Sequence, residues 1–225
     1  MAALKPIVAI DGPAGSGKST IARRVAQRLG LFYIDTGAMY RCLALKAGRL
    51  GIDPQDSARI AAMARATDID MDYEPAGGRL LVRLDGEDVS EAIRLPEVTR
   101  HVSTIAKIKE VRATLVRVQR RLARGHRAIL EGRDTTTVVF PDAYKKFYLD
   151  AQAEERVHRR FLEMKAKAIG IDEPAVRQDI ARRDHLDSTR EHAPLRRAPD
   201  AVYIDTTNLT IEQVTEKVIE EIART

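Results

Sequence analysis

Short apolar runs alternate with stretches of helical spacing along most of the chain. Pro6-Ile7-Val8-Ala9-Ile10 is apolar and stops at Asp11-Gly12. Its length and β-branched content predict a buried parallel strand. From Lys18 to Leu29 the apolar positions Ile21, Ala22, Val25, Ala26 and Leu29 fall on one helical face, with Gly30 placed as a stop. Leu31–Ile34 reads as a second strand, Thr36–Ala47 as a helix with Thr36 as a possible cap, and Asp56–Ala66 as another helix. Further on, Val111–Ala123 is a basic amphipathic helix. Ala128–Leu130, Lys146–Leu149 and Ala201–Ile204 are short strands, and Thr210–Ile222 is a closing helix. Ala153–Lys167 and Pro174–Leu186 are charged helices meeting near Gly170.

The middle of the chain breaks this rhythm. Ile69-Asp70-Met71-Asp72-Tyr73 alternates in polarity, and Pro75-Ala76-Gly77-Gly78 is a turn cluster. Leu80–Leu84 and the turn signal Asp85-Gly86 follow. The pattern predicts a small antiparallel sheet, near Asp68 to Ile93, inserted into an α/β chain. The alternating units around it predict a parallel sheet of five strands flanked by helices, with right-handed crossovers.

Composition adds limits. The chain has 225 residues, 44% hydrophobic and 32% charged, which suits one sizeable packed domain with an insertion. Aromatics are 4% with no Trp, so the core draws on Ala, Val, Ile and Leu. The single cysteine, Cys42, excludes an internal disulfide and a cysteine-pair zinc site. The five histidines share no metal-ligand spacing with it. Met1 to Ile10 has no signal-peptide core and no apolar run spans a bilayer, so a cytoplasmic location is expected. A net charge of +5 suits polyanions in general, nucleotide phosphates among them.

Gly12-Pro13-Ala14-Gly15-Ser16-Gly17-Lys18-Ser19 matches the P-loop pattern at every fixed position, after a strand and before a helix. Glycines there let backbone N–H groups close on phosphate oxygens. The helix N-terminus adds positive potential. Lys18 reaches the β- and γ-phosphates, the Ser19 hydroxyl can ligate Mg²⁺, and Thr20 is counted with the triphosphate-binding residues. No Asn-Lys-x-Asp sequence specifies guanine. Arg41, Arg133, Arg183 and Arg190 are instead scattered where strand ends could gather them, as phosphoryl transfer to a phosphate acceptor requires. The charged helices around Gly170 suit a lid.

Four motifs in order then resemble bacterial cytidylate kinases over essentially the whole chain. They are the P-loop, Asp35-Thr36-Gly37-Ala38-Met39-Tyr40-Arg41, Glu131-Gly132-Arg133-Asp134 with Val138-Val139-Phe140-Pro141, and Arg183-Asp184 with Asp187 and Arg190. The resemblance implies transfer of the γ-phosphoryl of ATP to CMP or dCMP. It implies a single nucleoside monophosphate kinase chain, with a core at 1–35, 100–152 and 192–225. The part that binds the monophosphate would be 36–99 and the lid 153–191. It also implies that Thr36, Tyr40 and Arg41 hold the monophosphate with Arg133, Arg183 and Arg190. Ser103, Arg112 and Asp134 would read cytosine, Arg183 and Asp187 would contact the sugar, and Arg156, Arg159 and Arg160 would close over ATP. The partners implied are small nucleotides, without nucleic acid or membrane, on a monomer. At one position the chain departs: the family usually carries Gly two residues after Asp134, where this chain has the β-branched Thr136.

Two other readings use the same residues. A P-loop kinase for a different small acceptor would share Gly12–Ser19 but not the inserted sheet and the Arg183–Arg190 run. A nucleic-acid binder that retains a nucleotide pocket would concentrate its basic residues in one patch, and here they are spread. Arginines on charged helices are also commonly solvated or weakly paired.

Overall fold

The structure is a computed structural model and describes residues 6–166, 170 and 172–224. In chain order the elements are β1 (Ile7–Asp11), α1 (Lys18–Leu29), β2 (Phe32–Asp35), α2 (Thr36–Arg49), α3 (Ser57–Arg65), β3 (Ile69–Glu74), β4 (Arg79–Leu84) and β5 (Glu87–Asp88). There follow α4 (Pro96–Thr99), α5 (Val102–Ile105), α6 (Lys109–Ala123), β6 (Ala128–Gly132), β7 (Lys145–Asp150), α7 (Ala153–Ala166), α8 (Glu173–Thr189), β8 (Val202–Asp205) and α9 (Ile211–Ala223). Five strands form one sheet in the order β2-β6-β1-β7-β8, and β3-β4-β5 form a second sheet. The β1–β7, β2–β6 and β7–β8 pairs are parallel, and β3–β4 and β4–β5 are antiparallel. The expected α/β class with a five-stranded parallel sheet and a separate small antiparallel sheet is therefore what the chain adopts.

The burial patterns explain the two sheets. Every residue of β1 and of β6 is buried, as in a parallel strand covered on both faces. β3 alternates buried and exposed, one face packed and one in water. Asp85 and Gly86 both have positive φ, 50° and 87°, at the tight turn between β4 and β5.

The residues divide into two compact units, Met1–Ile7 with Ala26–Glu131 and Val8–Val25 with Gly132–Thr225. In the first, α2 packs on α3, α4, α5 and α6, and α6 also covers β2 and β3. In the second, α7 and α8 join through Val157, Val176 and Ile180, with Phe161 and Met164 at their side. Burying three such side chains contributes about 5 kcal/mol. The amphipathic α9 packs on β7. A capping box starts α9, with Thr210 and Gln213 bonding each other's backbone.

One detail differs from the sequence expectation, one is not covered by it, and one lies outside the described residues. The cap of α2 is Asp35, whose Oδ1 accepts from Ala38 N–H at 2.9 Å, while Thr36 is the first helical residue. A carboxylate one position earlier reaches the free amides better than the Thr36 hydroxyl, which is committed to Glu131 O at 2.8 Å. The stretch after Ile93, to which no element is assigned above, forms the short helices α4 and α5. The end expected for the first charged helix, Lys167, lies outside the described residues, as do Met1–Lys5.

Candidate active site

In the second unit, Gly12–Ser19 forms the predicted loop between β1 and α1. Gly12, Gly15 and Gly17 have φ of 152°, 77° and 88°, a conformation that L side chains resist. Space excludes side chains as well. A Cβ on Gly12 would stand 1.9 Å from Leu149 O, and one on Gly15 would stand 2.9 Å from Arg156 O. Lys18 is buried and donates to Pro13 O at 2.6 Å and Ser16 Oγ at 3.3 Å, so its ammonium lies against its own loop. Ser19 and Thr20 are exposed on the first turn of α1.

Of the arginines expected to close over ATP, Arg156 and Arg159 lie near this loop. Arg156 donates to Ala151 O at 3.0 Å and Ala14 O at 3.1 Å, and pairs closely with Asp184. Asp184 also accepts from Ala14 N–H at 3.3 Å, placing a carboxylate on an amide of the P-loop. Arg159 donates to Glu155 at 2.7 Å and to Thr206 O at 2.6 Å. Arg160 donates to Glu163 at 2.7 Å.

Around Asp187 the same unit gathers the expected acceptor cations. Arg133 Nε donates to Asp187 Oδ2 at 2.7 Å, and Arg190 Nη1 lies 3.6 Å from Oδ1. Arg190 also donates to Ala193 O at 2.6 Å. Burial opposes the charge of Asp187, but Arg133, Arg190 and Arg183 outweigh it and hold the carboxyl below its ordinary range. Arg183 is pushed down to about 10, by burial first and then by Arg133, with Arg160 adding to it.

After β6 the chain makes a π-type turn, Thr135–Val139, preceded by Asp134. Asp134 O accepts from Val138 N–H at 2.9 Å and Val139 N–H at 3.2 Å. Thr136 does not have positive φ. Its amide and hydroxyl both donate to Asp11 Oδ2, at 2.7 and 2.6 Å, so the position usually held by Gly here carries a β-branched residue without backbone strain.

The first unit places the remaining predicted residues. Arg41 Nη2 donates to Asp35 Oδ2 at 2.6 Å, and Arg41 Nε is buried without an acceptor. Burial opposes both charges of this pair. Each nevertheless strengthens the other, so Asp35 is lowered and Arg41 raised. The Arg112 guanidinium stands over Tyr40, 5.5 Å from the ring centroid, and donates to Ala106 O at 3.0 Å. Ser103 is buried on α5.

Sequence reasoning did not single out Asp11, Asp35 or Asp184 as partners of these groups. Asp35 carried a signal, standing immediately before a helix and six residues before Arg41. Asp184 stood next to Arg183 in a motif read for its arginines.

Comparisons with known proteins agree on the family. The cytidylate kinase family model matches residues 8–224. A cytidylate kinase from Caldicellulosiruptor bescii is 50% identical over 95% of this chain and 93% of its own. One from Geobacter sulfurreducens is 51% identical over 97% of this chain and 92% of its own. The crystal structure of an uncharacterized protein from Eubacterium ventriosum shares the fold, with a TM-score of 0.55 at 10% identity over 98% of this chain and 100% of that one. With a match of this extent over motifs that form a glycine-built phosphate loop and an arginine cluster, the chain belongs to the cytidylate kinase family.

Proposed function

We propose that the chain transfers the γ-phosphoryl of ATP to CMP or dCMP, giving ADP and CDP or dCDP. The observation that carries this reading is the pairing of Arg133 and Arg190 with one carboxylate, Asp187, with Arg183 on the same helix beside Asp179, in the unit that also bears the P-loop. Phosphoryl transfer asks the protein for positioning and charge neutralisation more than for covalent chemistry. Gly12–Ser19 and Thr20 hold the triphosphate, and Lys18 leaves Pro13 O for the β- and γ-phosphates. Arg156, Arg159 and Arg160 close from the lid, which is 153–191. The monophosphate is bound by Thr36, Tyr40 and Arg41 in the part 36–99, with Arg133, Arg183 and Arg190 sharing the transferred group. The buried Nε of Arg41 supplies a donor for one of its oxygens. Residues 1–35, 100–152 and 192–225 are the supporting core.

The exposed hydroxyl of Ser19, a hard oxygen at the start of α1, fits Mg²⁺, which takes oxygen ligands and keeps several waters. When bound, the ion supplies further neutralisation of phosphate charge. We read the enzyme as a cytoplasmic monomer acting on small nucleotides.

Base choice follows from donor and acceptor patterns. Cytosine presents an N4 amino donor and ring acceptors, which suit the Asp134 carboxylate and the Arg112 guanidinium, with Ser103 as the third base-reading residue. Arg183 and Asp187 contact the sugar. Uracil presents an acceptor at position 4, which leaves a carboxylate unmet at a cost of about 1–3 kcal/mol. A coupled ADP-release assay with CMP, dCMP, UMP, AMP and GMP tests this. CMP is expected to exceed UMP in kcat/KM by at least about tenfold, and equal values would overturn the base reading.

A further inference from the structure

The run Thr135-Thr136-Thr137 is not explained by phosphate binding or by base contact. Its first two residues converge on Asp11, the last residue of β1 and the one before Gly12 of the P-loop. Asp11 is fully buried. Its Oδ1 accepts from Thr135 N–H at 2.9 Å and Thr135 Oγ1 at 2.7 Å. Its Oδ2 accepts from Thr136 N–H at 2.7 Å and Thr136 Oγ1 at 2.6 Å. Four donors from two consecutive residues thus close on both oxygens of one carboxylate. Thr135 Oγ1 also lies 3.2 Å from Ile10 O, tying the turn to the strand backbone.

We propose that Asp11 is a positioning residue for base recognition. With the amides and hydroxyls of Thr135 and Thr136 it fixes the turn on which Asp134 stands, and through that turn the preference for CMP over UMP. This rests on the reading of Asp134 as the residue that meets the cytosine amino group.

The geometry supports a role in aim as well as in stability. Asp134 is held from two directions. Its carbonyl receives Val138 and Val139 N–H inside the turn, and the next two residues are anchored to Asp11. π-type turns are uncommon and concentrate at functional sites. Here the turn has no glycine, so its conformation depends on acceptors outside it. A carboxylate is the one side chain of this size that offers only acceptors to four donors. Asparagine would turn an NH₂ toward two of them. Thr136 adds to its amide a hydroxyl bond that glycine could not make. A shift of about 1 Å in a group that must meet one base edge is enough to lose much of its discrimination.

The test measures kcat/KM for CMP and for UMP at saturating ATP, with thermal midpoints, for Asp11→Asn, Thr136→Val, Thr136→Ser and Asp134→Asn. Thr136→Val keeps shape and loses the hydroxyl. It is expected to narrow the CMP-to-UMP ratio about fivefold. Asp11→Asn is expected to narrow it further. Thr136→Ser keeps the hydroxyl and is expected to restore the ratio to within about twofold. If CMP and UMP rates fall together in Thr136→Val, or if only the thermal midpoint moves, Asp11 is structural and the proposal is overturned. Should Asp11→Asn fail to fold, the Thr136 pair decides by the same criterion. Asp134→Asn reports on the underlying reading. If it leaves the ratio unchanged, the base-reading assignment fails and the proposal fails with it. If it collapses the ratio while Thr136→Val does not, that assignment stands and the Asp11 link alone is wrong.

Discussion

Two loops follow strands of the same sheet, and they reach their shapes by opposite means. The loop after β1 is built from glycines. Three of them have positive φ, and at Gly12 even a methyl group would collide with the carbonyl of Leu149. Its cation, Lys18, folds onto its own loop. The turn after β6 has no glycine between Arg133 and Pro141. It is held by a buried carboxylate on β1, and its cation, Arg133, is clamped by Asp187 at the end of α8. The first loop must bring bare N–H groups to a ligand, so nothing can fill it. The second must aim side chains, so it can be held by side chains. Tolerance to substitution should differ accordingly.

The sharpest contrast is expected at Gly12. Gly12→Ala places a Cβ against fixed backbone and in a disfavoured conformation, and is expected to destabilise the fold by about 3 kcal/mol or more. Denaturant unfolding and the ADP-release assay should show a lower midpoint and loss of phosphoryl transfer. A variant with near-normal stability and activity would show that the glycine loop is no more constrained than the threonine turn.

The two loops were also unequally legible in the sequence. The P-loop has a fixed spacing and a strand and helix on either side, so Gly12–Ser19 could be placed at once, and α1 begins and ends where its apolar spacing predicted. The parallel strands were found to within about a residue or two of their ends, because continuous burial leaves continuous apolar runs. The π-type turn left no such trace. Its shape depends on Asp11, more than a hundred residues earlier in the chain, and no local periodicity encodes that contact. Likewise Asp35 and Asp184 are ordinary acidic residues until folding places them on Arg41 and on Ala14 N–H. The arginines were visible because the motif matches named them, whereas the carboxylates that pair with them depend on geometry alone.

The clamp on Arg133 gives the second prediction, intermediate in size. Asp187 has its pKa lowered in the fold, where burial is outweighed by Arg133 and its neighbours. Its ion pairs therefore stabilise the protein above the unfolded carboxyl value of about 3.9, and that contribution is lost as pH falls through the folded value. Asp187→Asn should cost about 2 kcal/mol at neutral pH, since the pair is largely buried and hydrogen-bonded. The difference from the unsubstituted chain should shrink as pH falls below about 4. Urea midpoints across pH 3 to 7 measure it. A difference independent of pH would mean that Asp187 acts by packing, and that the clamp on the second loop is not electrostatic.

The smallest effect is expected where the second loop is given the chemistry of the first. Thr136→Gly keeps the amide bond to Asp11 Oδ2 and deletes the hydroxyl bond. The lost bond and the added flexibility of the unfolded chain each cost about 1 kcal/mol or less. For a chain of this size the two together correspond to a fall in Tm of about 3–6 °C. That is well below the cost expected for Gly12→Ala, although both exchanges involve glycine at a strand-end loop. Differential scanning calorimetry of the two variants side by side compares them directly. If Thr136→Gly is as damaging as Gly12→Ala, the turn relies on the Thr136 hydroxyl as strictly as the P-loop relies on its glycines. If it is neutral, the Thr136 hydroxyl adds nothing to the stability of the turn, and the remaining bonds to Asp11 hold it.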